Sequence, residues 1–510
     1  MADSDPRSDL PECVDRNRRR LVLTGLASVG LVGCGGGSPS VPAVPPTSTM
    51  PATGSGVVFA AAKIWPAMPR LQSTAASGRF TATLSAAPAS VEFLTGISTN
   101  IFGYNGGTPG PVIDAFEGDV VRIAFSNNLG QDTTVHWHGL PIPADQDGNP
   151  MDPVATGTTR EYVFALPIGS AGTYWYHPHP HETAHQQVYR GLAGVFIVRS
   201  RTDPLGTLPE RLVLITDLRL DSSAQIAADT ATDLVNGREG DHVLVNGAYQ
   251  PVDVIAPGTT ERWRILDATN GRYTRLVLDG APMVVVALDG CALASPVVVT
   301  ELLLAPGQRA ELIVRAPAAA DQKLVLRTLA YDRGAMVPIR PAVKLLEITT
   351  GNVGVVAPFA IPNTLLARSP LPGNLAVSQT IVLADMGMAM GGGMGGGATG
   401  RFTINGKVFD PDRDDITIKA GVAQEWLVRN DGMMDHPLHI HGTSFQLVAS
   451  NRANMASDPR LHAFMDIVNL KAGEQVRIRL RIDTPGRRMF HCHILEHEAQ
   501  GMMGVINVTA

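Results

Sequence analysis

The chain has 510 residues, of which 44% are hydrophobic and 17% charged, and its formal net charge is −6 at pH 7. This length exceeds what one hydrophobic core supports, so we expect roughly three domains. The negative balance leaves no basic surface and argues against nucleic acid as a partner. The 52 glycines and 37 prolines favour many turns over long helices.

Residues 1–33 are predicted to form an export signal. Arg16 and the arginines at 18–20 precede a short apolar run at 21–32, which is too brief to span a bilayer comfortably. The arginines resemble a twin-arginine signal, and "LVGC", ending at Cys34, resembles a bacterial lipobox. Two readings stay open: Cys34 is lipidated and anchors an exported, periplasmic protein, or it follows an ordinary signal peptide by chance. Apart from such an anchor, no membrane contact is expected.

Residues 34–60 form a Pro-, Ser- and Gly-rich tether, after which short β-rich runs alternate with turn residues. The run "VRIRLRI" at 476–482 has the period of a half-exposed strand. Residues 117–128, 256–270 and 419–432 each contain a Gly turn and then an alternating strand that ends in Asn or Asp. This weak repeat predicts an all-β protein with three sandwich domains. We place them at 61–203, at 204–372 with a long linker from residue 351, and at 373–510.

Eight of the 14 histidines form His-x-His pairs. Residues i and i+2 of a strand face the same side, ~6.5 Å apart along it, so each pair offers two imidazoles to one compact metal cluster. A single pair is an ordinary surface motif, but four pairs in two parts of the chain indicate metal binding. The pairs are His136/His138, His177/His179, His439/His441 and His491/His493.

Of the four cysteines, only Cys291 and Cys492 belong to the predicted folded body. Cys492 separates two of the paired histidines and points to the opposite face of their strand. Two imidazoles, a thiolate and a weak axial thioether form the ligand set of a blue copper centre. We interpret Cys291 as a small buried residue. The proposed blue-copper ligands are His436, Cys492, His497 and Met502.

The motifs "HWHG", "YWYHPH", "HPLHIHG" and "HCHILEHEAQGMM" resemble the four copper-binding motifs of the multicopper oxidases, a family that includes laccases and copper-efflux oxidases. The resemblance covers nearly the whole mature chain and implies three consecutive cupredoxin-like Greek-key β-sandwich domains with four copper ions. It assigns His436, Cys492, His497 and Met502 to the type 1 copper, and His136 and His439 to the type 2 copper. It assigns the type 3 pair to His138, His177, His179, His441, His491 and His493. The first and third domains must then meet, with the middle domain as a spacer.

The resemblance also implies the reaction, which is one-electron oxidation of a substrate at the type 1 copper coupled to four-electron reduction of dioxygen to water at a trinuclear cluster. Glu498 and Asp147 match acidic positions that relay protons in the copper-efflux members. A carboxyl group suits this role because burial raises its pKa towards neutrality. Each acid can also be interpreted as a solvated loop residue.

Two segments that contain methionine indicate which substrate is oxidised. Thioethers select Cu(I), and both segments resemble elements of copper-efflux oxidases, so we expect Cu(I) oxidation in copper tolerance. One alternative is a laccase that oxidises phenols or aromatic amines and uses the Gly-rich stretch as a linker. Another is a non-catalytic copper-sequestering protein. We expect a monomer. The candidate substrate ligands are Met386, Met388, Met390, Met394, Asp431 and Met434.

Overall fold

A computed structural model describes residues 59, 63–334, 337–385, 402–452, 460 and 463–510. The export signal, Cys34, nearly all of the tether and four of the candidate substrate ligands lie outside the described residues, so these features stay predictions. The four ligands are Met386, Met388, Met390 and Met394. Among the described residues, no helix is long and apolar enough to cross a membrane.

The first sandwich consists of two four-stranded sheets, in the spatial orders β2-β1-β4-β6 and β3-β8-β7-β5. A short 3₁₀ helix at Ala144–Gln146 and helix α1 (Ala184–Tyr189) lie in its loops. The strands are β1 (Arg79–Leu94), β2 (Ile97–Tyr104), β3 (Ile113–Phe116), β4 (Val120–Asn127), β5 (His136–His138), β6 (Thr159–Ala165), β7 (Gly172–His177) and β8 (Gly194–Arg199).

The second sandwich has a seven-stranded sheet, β11-β10-β9-β13-β18-β15-β16, and a five-stranded sheet, β12-β20-β19-β14-β17. Helix α2 (Ala231–Asn236) begins with a capping box between Thr230 and Asp233. The strands are β9 (Glu210–Leu218), β10 (His242–Val245), β11 (Ala248–Tyr249), β12 (Val252–Ile255), β13 (Thr260–Asp267), β14 (Thr274–Asp279), β15 (Met283–Leu288), β16 (Cys291–Val299), β17 (Leu302–Leu304), β18 (Arg309–Arg315), β19 (Lys323–Leu329) and β20 (Val343–Thr350).

The third sandwich has a six-stranded sheet, β22-β21-β24-β29-β26-β27, and a five-stranded sheet, β23-β31-β30-β25-β28. Helix α3 (Leu495–Ala499) directly follows the Cys492 motif. The strands are β21 (Val377–Asp385), β22 (Phe402–Ile404), β23 (Ile416–Lys419), β24 (Gln424–Asn430), β25 (His436–Ile440), β26 (Phe445–Ser450), β27 (Phe464–Met465), β28 (Ile467–Leu470), β29 (Gln475–Leu480), β30 (Gly486–Cys492) and β31 (Met503–Thr509).

The sequence repeat corresponds to one strand in each domain. The three repeated stretches contain β4, β13 and β24, and each of these strands pairs in parallel with the first strand of its domain. On its other side, each pairs antiparallel with a later strand, β6, β18 or β29. The fold is therefore all-β with three cupredoxin-type domains, as the sequence predicts. The exact domain boundaries stay predictions.

Several local interpretations also hold in the structure. Strand β29 alternates between buried and exposed residues, as expected for a half-exposed strand. Residues 351–376 contain no strand, and the linker from residue 351 stays a prediction. Cys291 is 3% exposed, so it is the small buried residue that we expected.

Candidate copper centres

Strand geometry brings the eight paired histidines to one place between the first and third domains. Strands β5 and β7 pair antiparallel with His136 opposite His177, and β25 and β30 pair antiparallel with His439 opposite His491. All eight histidines are fully buried. Because neighbouring strand residues face opposite sides, Trp137 points away from its flanking histidines and packs in the core of the first domain.

The two halves of the site meet through stacked imidazole rings. His136 stacks on His441 with ring centroids 3.8 Å apart and an interplanar angle of 18°. His138 stacks on His439 at 3.8 Å and 12°. Each of these contacts joins a first-domain strand motif to a third-domain motif. The first and third domains therefore build this site jointly.

The imidazole nitrogens fall into compact groups whose ligand atoms lie within 4.8 Å of one another. Two groups of three histidines match the six type 3 ligands that the resemblance implies. A third group contains the two implied type 2 ligands together with one type 3 ligand. The groups are His138, His177 and His493; His179, His441 and His491; and His136, His138 and His439.

Hydrogen bonds indicate which nitrogen faces the centre in three of these rings. The Nδ1 atoms of His136 and His439 lie 2.8 Å from the backbone oxygens of Asp147 and Asp466, which fits donation from Nδ1–H. Their Nε2 atoms are buried and have no hydrogen-bond partner in the described part of the chain. His138 is turned the other way, with Nε2 3.1 Å from Asp466 Oδ1. A backbone or carboxylate partner on one nitrogen leaves the other free as a metal ligand.

Burial favours the neutral, metal-binding form of seven of the paired histidines. It lowers the pKa of His491 to about 3 and, with repulsion between neighbouring imidazoles, lowers the pKa of six others well below the usual value. The His179 and His491 Nε2 atoms lie 3.1 Å apart, so a cation bound in this group would have imidazole nitrogens on both sides. The six are His138, His177, His179, His439, His441 and His493.

Both predicted acids lie beside the histidines. Asp147 Oδ2 is 3.0 Å from His441 Nδ1, and Glu498 Oε2 is 3.3 Å from His491 Nδ1. Asp147 is fully buried and Glu498 is 1% exposed, so neither is a solvated loop residue. Burial, reinforced by the nearby carboxyl of Glu496, raises the pKa of Glu498 well above its usual value. Their role in proton transfer stays a prediction.

A second, mononuclear group surrounds Cys492. Its Sγ lies 3.6 Å from His436 Nδ1 and 3.8 Å from His497 Nδ1, and all three residues are buried. Met502 is fully buried, and its backbone N–H donates to the carbonyl of His497 at 3.0 Å. Burial raises the pKa of the Cys492 thiol, so a thiolate here requires a bound cation. His436, Cys492 and His497 form a compact group of donors that suits a type 1 copper, and Met502 as its axial ligand stays a prediction.

The outer nitrogens of the two type 1 histidines contact different surroundings. His497 Nε2 lies 3.0 Å from the carbonyl oxygen of Val235 in the middle domain, and its ring stacks on Phe402 at 3.9 Å. His436 Nε2 lies 3.5 Å from Oδ2 of Asp385. Asp385 ends β21 and directly precedes Met386. Sequence reasoning missed Asp385 because a single acid at a strand end has no distinctive spacing.

The two described substrate candidates have different surroundings. Asp431 is exposed and forms an ion pair with Arg429. Met434 is 6% exposed, and its carbonyl accepts a hydrogen bond from Asn430 Nδ2. Of the acids proposed or found near this site, Asp385 is the one in contact with His436. The structure does not bring Asp431 to that ligand.

Comparisons with known proteins identify the family. Three family models, each described as "Multicopper oxidase", match residues 85–203, 213–335 and 385–510. The multicopper oxidase Mco of Staphylococcus epidermidis is 32% identical to this chain, over 84% of the length of this chain and 88% of the length of Mco. The cell division protein FtsP of Escherichia coli is 30% identical over 71% of this chain and 75% of its own. A solved structure titled "Multicopper oxidase from Campylobacter jejuni: a metallo-oxidase" is 38% identical, with a TM-score of 0.81 over 89% of this chain and 96% of that one. This chain belongs to the multicopper oxidase family.

Proposed function

We propose that the protein binds four copper ions and couples the oxidation of Cu(I) to the reduction of dioxygen. The observation that carries the copper assignment is the set of eight buried histidines, arranged in groups of three beside the Cys492 group. Bound copper would supply one-electron transfer at the Cys492 group and reduction of dioxygen at the eight-histidine site. Four Cu(I) ions, one dioxygen and four protons would give four Cu(II) ions and two waters.

The polypeptide supplies the link between the two sites. Cys492 is a ligand of the mononuclear group, and its covalent neighbours His491 and His493 belong to the two three-histidine groups. Electrons therefore need to cross only one short piece of β30 and the residue that follows it. Glu498 and Asp147, in contact with the histidines, are positioned to hold protons for the four-proton reaction.

Asp385 supports Cu(I) over phenols as the substrate. Its carboxylate contacts the outer nitrogen of His436, which is the side of this ligand that faces away from Cys492. The next residue begins the methionine-rich segment, so soft thioether ligands start within one residue of the carboxylate. A cation between these groups would lie next to a type 1 ligand. The metallo-oxidase title of the Campylobacter jejuni structure is consistent with this choice.

The proposal is tested by following dioxygen uptake of the copper-loaded protein with a Cu(I) complex and, separately, with a phenol. We expect faster uptake with Cu(I), and we expect Asp385→Asn to raise KM for Cu(I) at least tenfold while the phenol KM changes little. The matched control is Asp412→Asn, which removes an exposed acid from the same domain. Uptake mainly with the phenol, unaffected by deletion of residues 386–397, would make the protein a laccase. Copper binding without any uptake would favour the sequestering alternative.

The location is also a proposal. The predicted signal and Cys34 support export to the periplasm, with or without a lipid anchor, where a cuprous oxidase would contribute to copper tolerance. Mass spectrometry of the mature N-terminus tests this directly. A diacylglyceryl group on Cys34 is expected for the anchored form, and an unmodified cleaved N-terminus would show that the protein is exported without an anchor.

A further inference from the structure

The middle domain provides no histidine to the copper groups, yet one of its arginines reaches the eight-histidine site. Arg309, at the start of β18, is fully buried. Its Nη1 and Nη2 donate to Oδ1 and Oδ2 of Asp466 in the third domain, at 2.8 and 2.6 Å. Its Nε donates to the carbonyl of Thr173 in the first domain at 3.2 Å. This one guanidinium therefore joins all three domains.

Asp466, in turn, contacts two of the paired histidines. Its Oδ1 lies 3.1 Å from His138 Nε2, and its backbone oxygen lies 2.8 Å from His439 Nδ1. With both of those nitrogens carrying hydrogen, His138 Nδ1 is left to face His493 Nε2 at 3.3 Å. His439 Nε2 is likewise left as the free ligand atom. Asp466 thus sets the tautomer and orientation of one implied type 3 ligand and one implied type 2 ligand.

Two more middle-domain residues form hydrogen bonds with the backbone of Asp466 and Ile467 in the third domain. Asp289 accepts hydrogen bonds from the backbone N–H groups of Asp466 at 3.3 Å and Ile467 at 3.2 Å. Gln308 Nε2 donates to the carbonyl of Ile467 at 3.1 Å. Asp289 also accepts from the backbone N–H of Arg309 at 2.9 Å, which connects the two sets of contacts. We call Asp289, Gln308 and Arg309 the clamp.

The residue after His138 shows how closely the clamp fits the histidine motif. Gly139 has φ +86°, and a Cβ atom there would lie 2.3 Å from Asp466 Oδ2 and 2.6 Å from Arg309 Nη2. The ion pair therefore occupies the space that any other side chain would need. This explains in physical terms why glycine ends the "HWHG" motif of this chain.

We infer that the clamp is a positioning device through which the middle domain controls copper occupancy at the eight-histidine site. The inference rests on the proposed four-copper function. The Arg309 guanidinium holds both oxygens of the Asp466 carboxylate, so this carboxylate keeps one orientation. It therefore stays in place to accept the hydrogen bond from His138 Nε2–H. Without the guanidinium, the Asp466 carboxylate is free to turn away, and His138 loses the acceptor of its Nε2–H, while the backbone oxygen that holds His439 is still fixed through Asp289 and Gln308. The Cys492 group makes no contact with the clamp among the described hydrogen bonds and ion pairs, so it stays intact.

The test compares Arg309→Met with Arg264→Met. Arg264 is also a buried middle-domain arginine, paired with Glu210 and Glu311 and bonded to Thr173, but neither of its acid partners has a described contact with a paired histidine, whereas Asp466 contacts His138. Both variants break a buried ion pair and are expected to destabilise the metal-free protein to a similar degree. Only Arg309→Met is expected to weaken copper binding at the eight-histidine site, by about 10–100-fold. Its blue absorbance from the Cys492 group should remain.

Copper per chain is measured at increasing chelator concentration, with electron paramagnetic resonance to separate the type 1 and type 2 signals. Arg309→Lys keeps the charge but cannot hold both carboxylate oxygens, and it gives the same test if Arg309→Met fails to fold. Wild-type copper retention in a folded Arg309 variant would overturn the inference, as would equal copper loss in Arg264→Met. A wild-type protein that itself binds fewer than four coppers would instead refute the proposed function, so the two failures are distinguishable.

Discussion

The substitution Gly307→Ala, in the middle domain, tests whether the eight-histidine site has the geometry of a metal centre. Gly307 has φ +84°, and a Cβ atom there would lie 2.7 Å from His493 Cε1 and 2.8 Å from His493 Nε2. Ordinary contacts begin near 3.4 Å, so the ring in Gly307→Ala must move by about 0.7 Å, the difference between 3.4 and 2.7 Å. Metal–ligand distances tolerate only about 0.2 Å. Gly307→Ala should therefore lose copper from this site.

The matched control is Gly473→Ala. Gly473 has φ +72°, and no atom lies within 4 Å of its Cβ position. The two glycines occupy equivalent turns. In each turn, the N–H of the residue after the glycine donates to the carbonyl of the residue two positions before it. The strain of alanine at positive φ costs about 1–2 kcal/mol of unfolding free energy in both variants, and the clash is added in Gly307→Ala alone. Chelator titration with measurement of copper per chain should show loss in Gly307→Ala alone. Wild-type retention by Gly307→Ala, or equal loss by Gly473→Ala, would show that copper binding does not depend on the position of the His493 ring.

Three further predictions address the other groups. Cys492→Ser should abolish the blue absorbance and all dioxygen uptake while copper remains at the eight histidines, because serine provides no thiolate; blue colour in this variant would contradict the assignment. Glu498→Gln should slow dioxygen uptake by about 10²–10⁴-fold without changing the copper count, because an amide carries no transferable proton; unchanged uptake would remove Glu498 from the reaction. Burial raises the pKa of Asp267 to about 7, so the native state keeps a proton that the unfolded chain loses near pH 4. The unfolding free energy of the metal-free protein therefore falls between pH 4 and 7, by up to about 4 kcal/mol from this group, and Asp267→Asn should flatten that fall. Denaturant titrations across this pH range check it, with exposed Asp279→Asn as the control, and an unaltered pH dependence in Asp267→Asn would contradict it.

The clustering of the candidate copper ligands could be predicted from sequence because their spacing is local. The period of a strand places the two members of a His-x-His pair on one face, and it places Trp137 and Cys492 on the opposite faces of their strands. The repeated Gly-turn-strand pattern likewise marked equivalent strands in the three domains. Both signals lie within about fifteen residues of chain, which is the range over which such patterns carry information.

The partners of these ligands could not be predicted, because they come from distant parts of the chain. Asp466 lies within a buried apolar run, Arg309 begins a strand of another domain, and Asp385 ends a strand before the Gly-rich stretch. None of the three has a spacing that distinguishes it from a structural ion pair. An acid within the apolar run "FMDIVNL" was the one available signal, since burying a charge requires a partner. The middle domain, interpreted as a spacer from sequence, in fact supports both candidate groups. Its Val235 carbonyl lies 3.0 Å from His497 Nε2, and its Arg309 binds Asp466, which contacts His138.

We propose that one chain holds four coppers that together reduce dioxygen to water. The most direct test is copper per chain by atomic emission, combined with the number of electrons consumed per dioxygen and an assay for peroxide. We expect four coppers, four electrons per dioxygen and no peroxide. One or two coppers per chain with no dioxygen consumption, or two electrons per dioxygen with peroxide as the product, would contradict it.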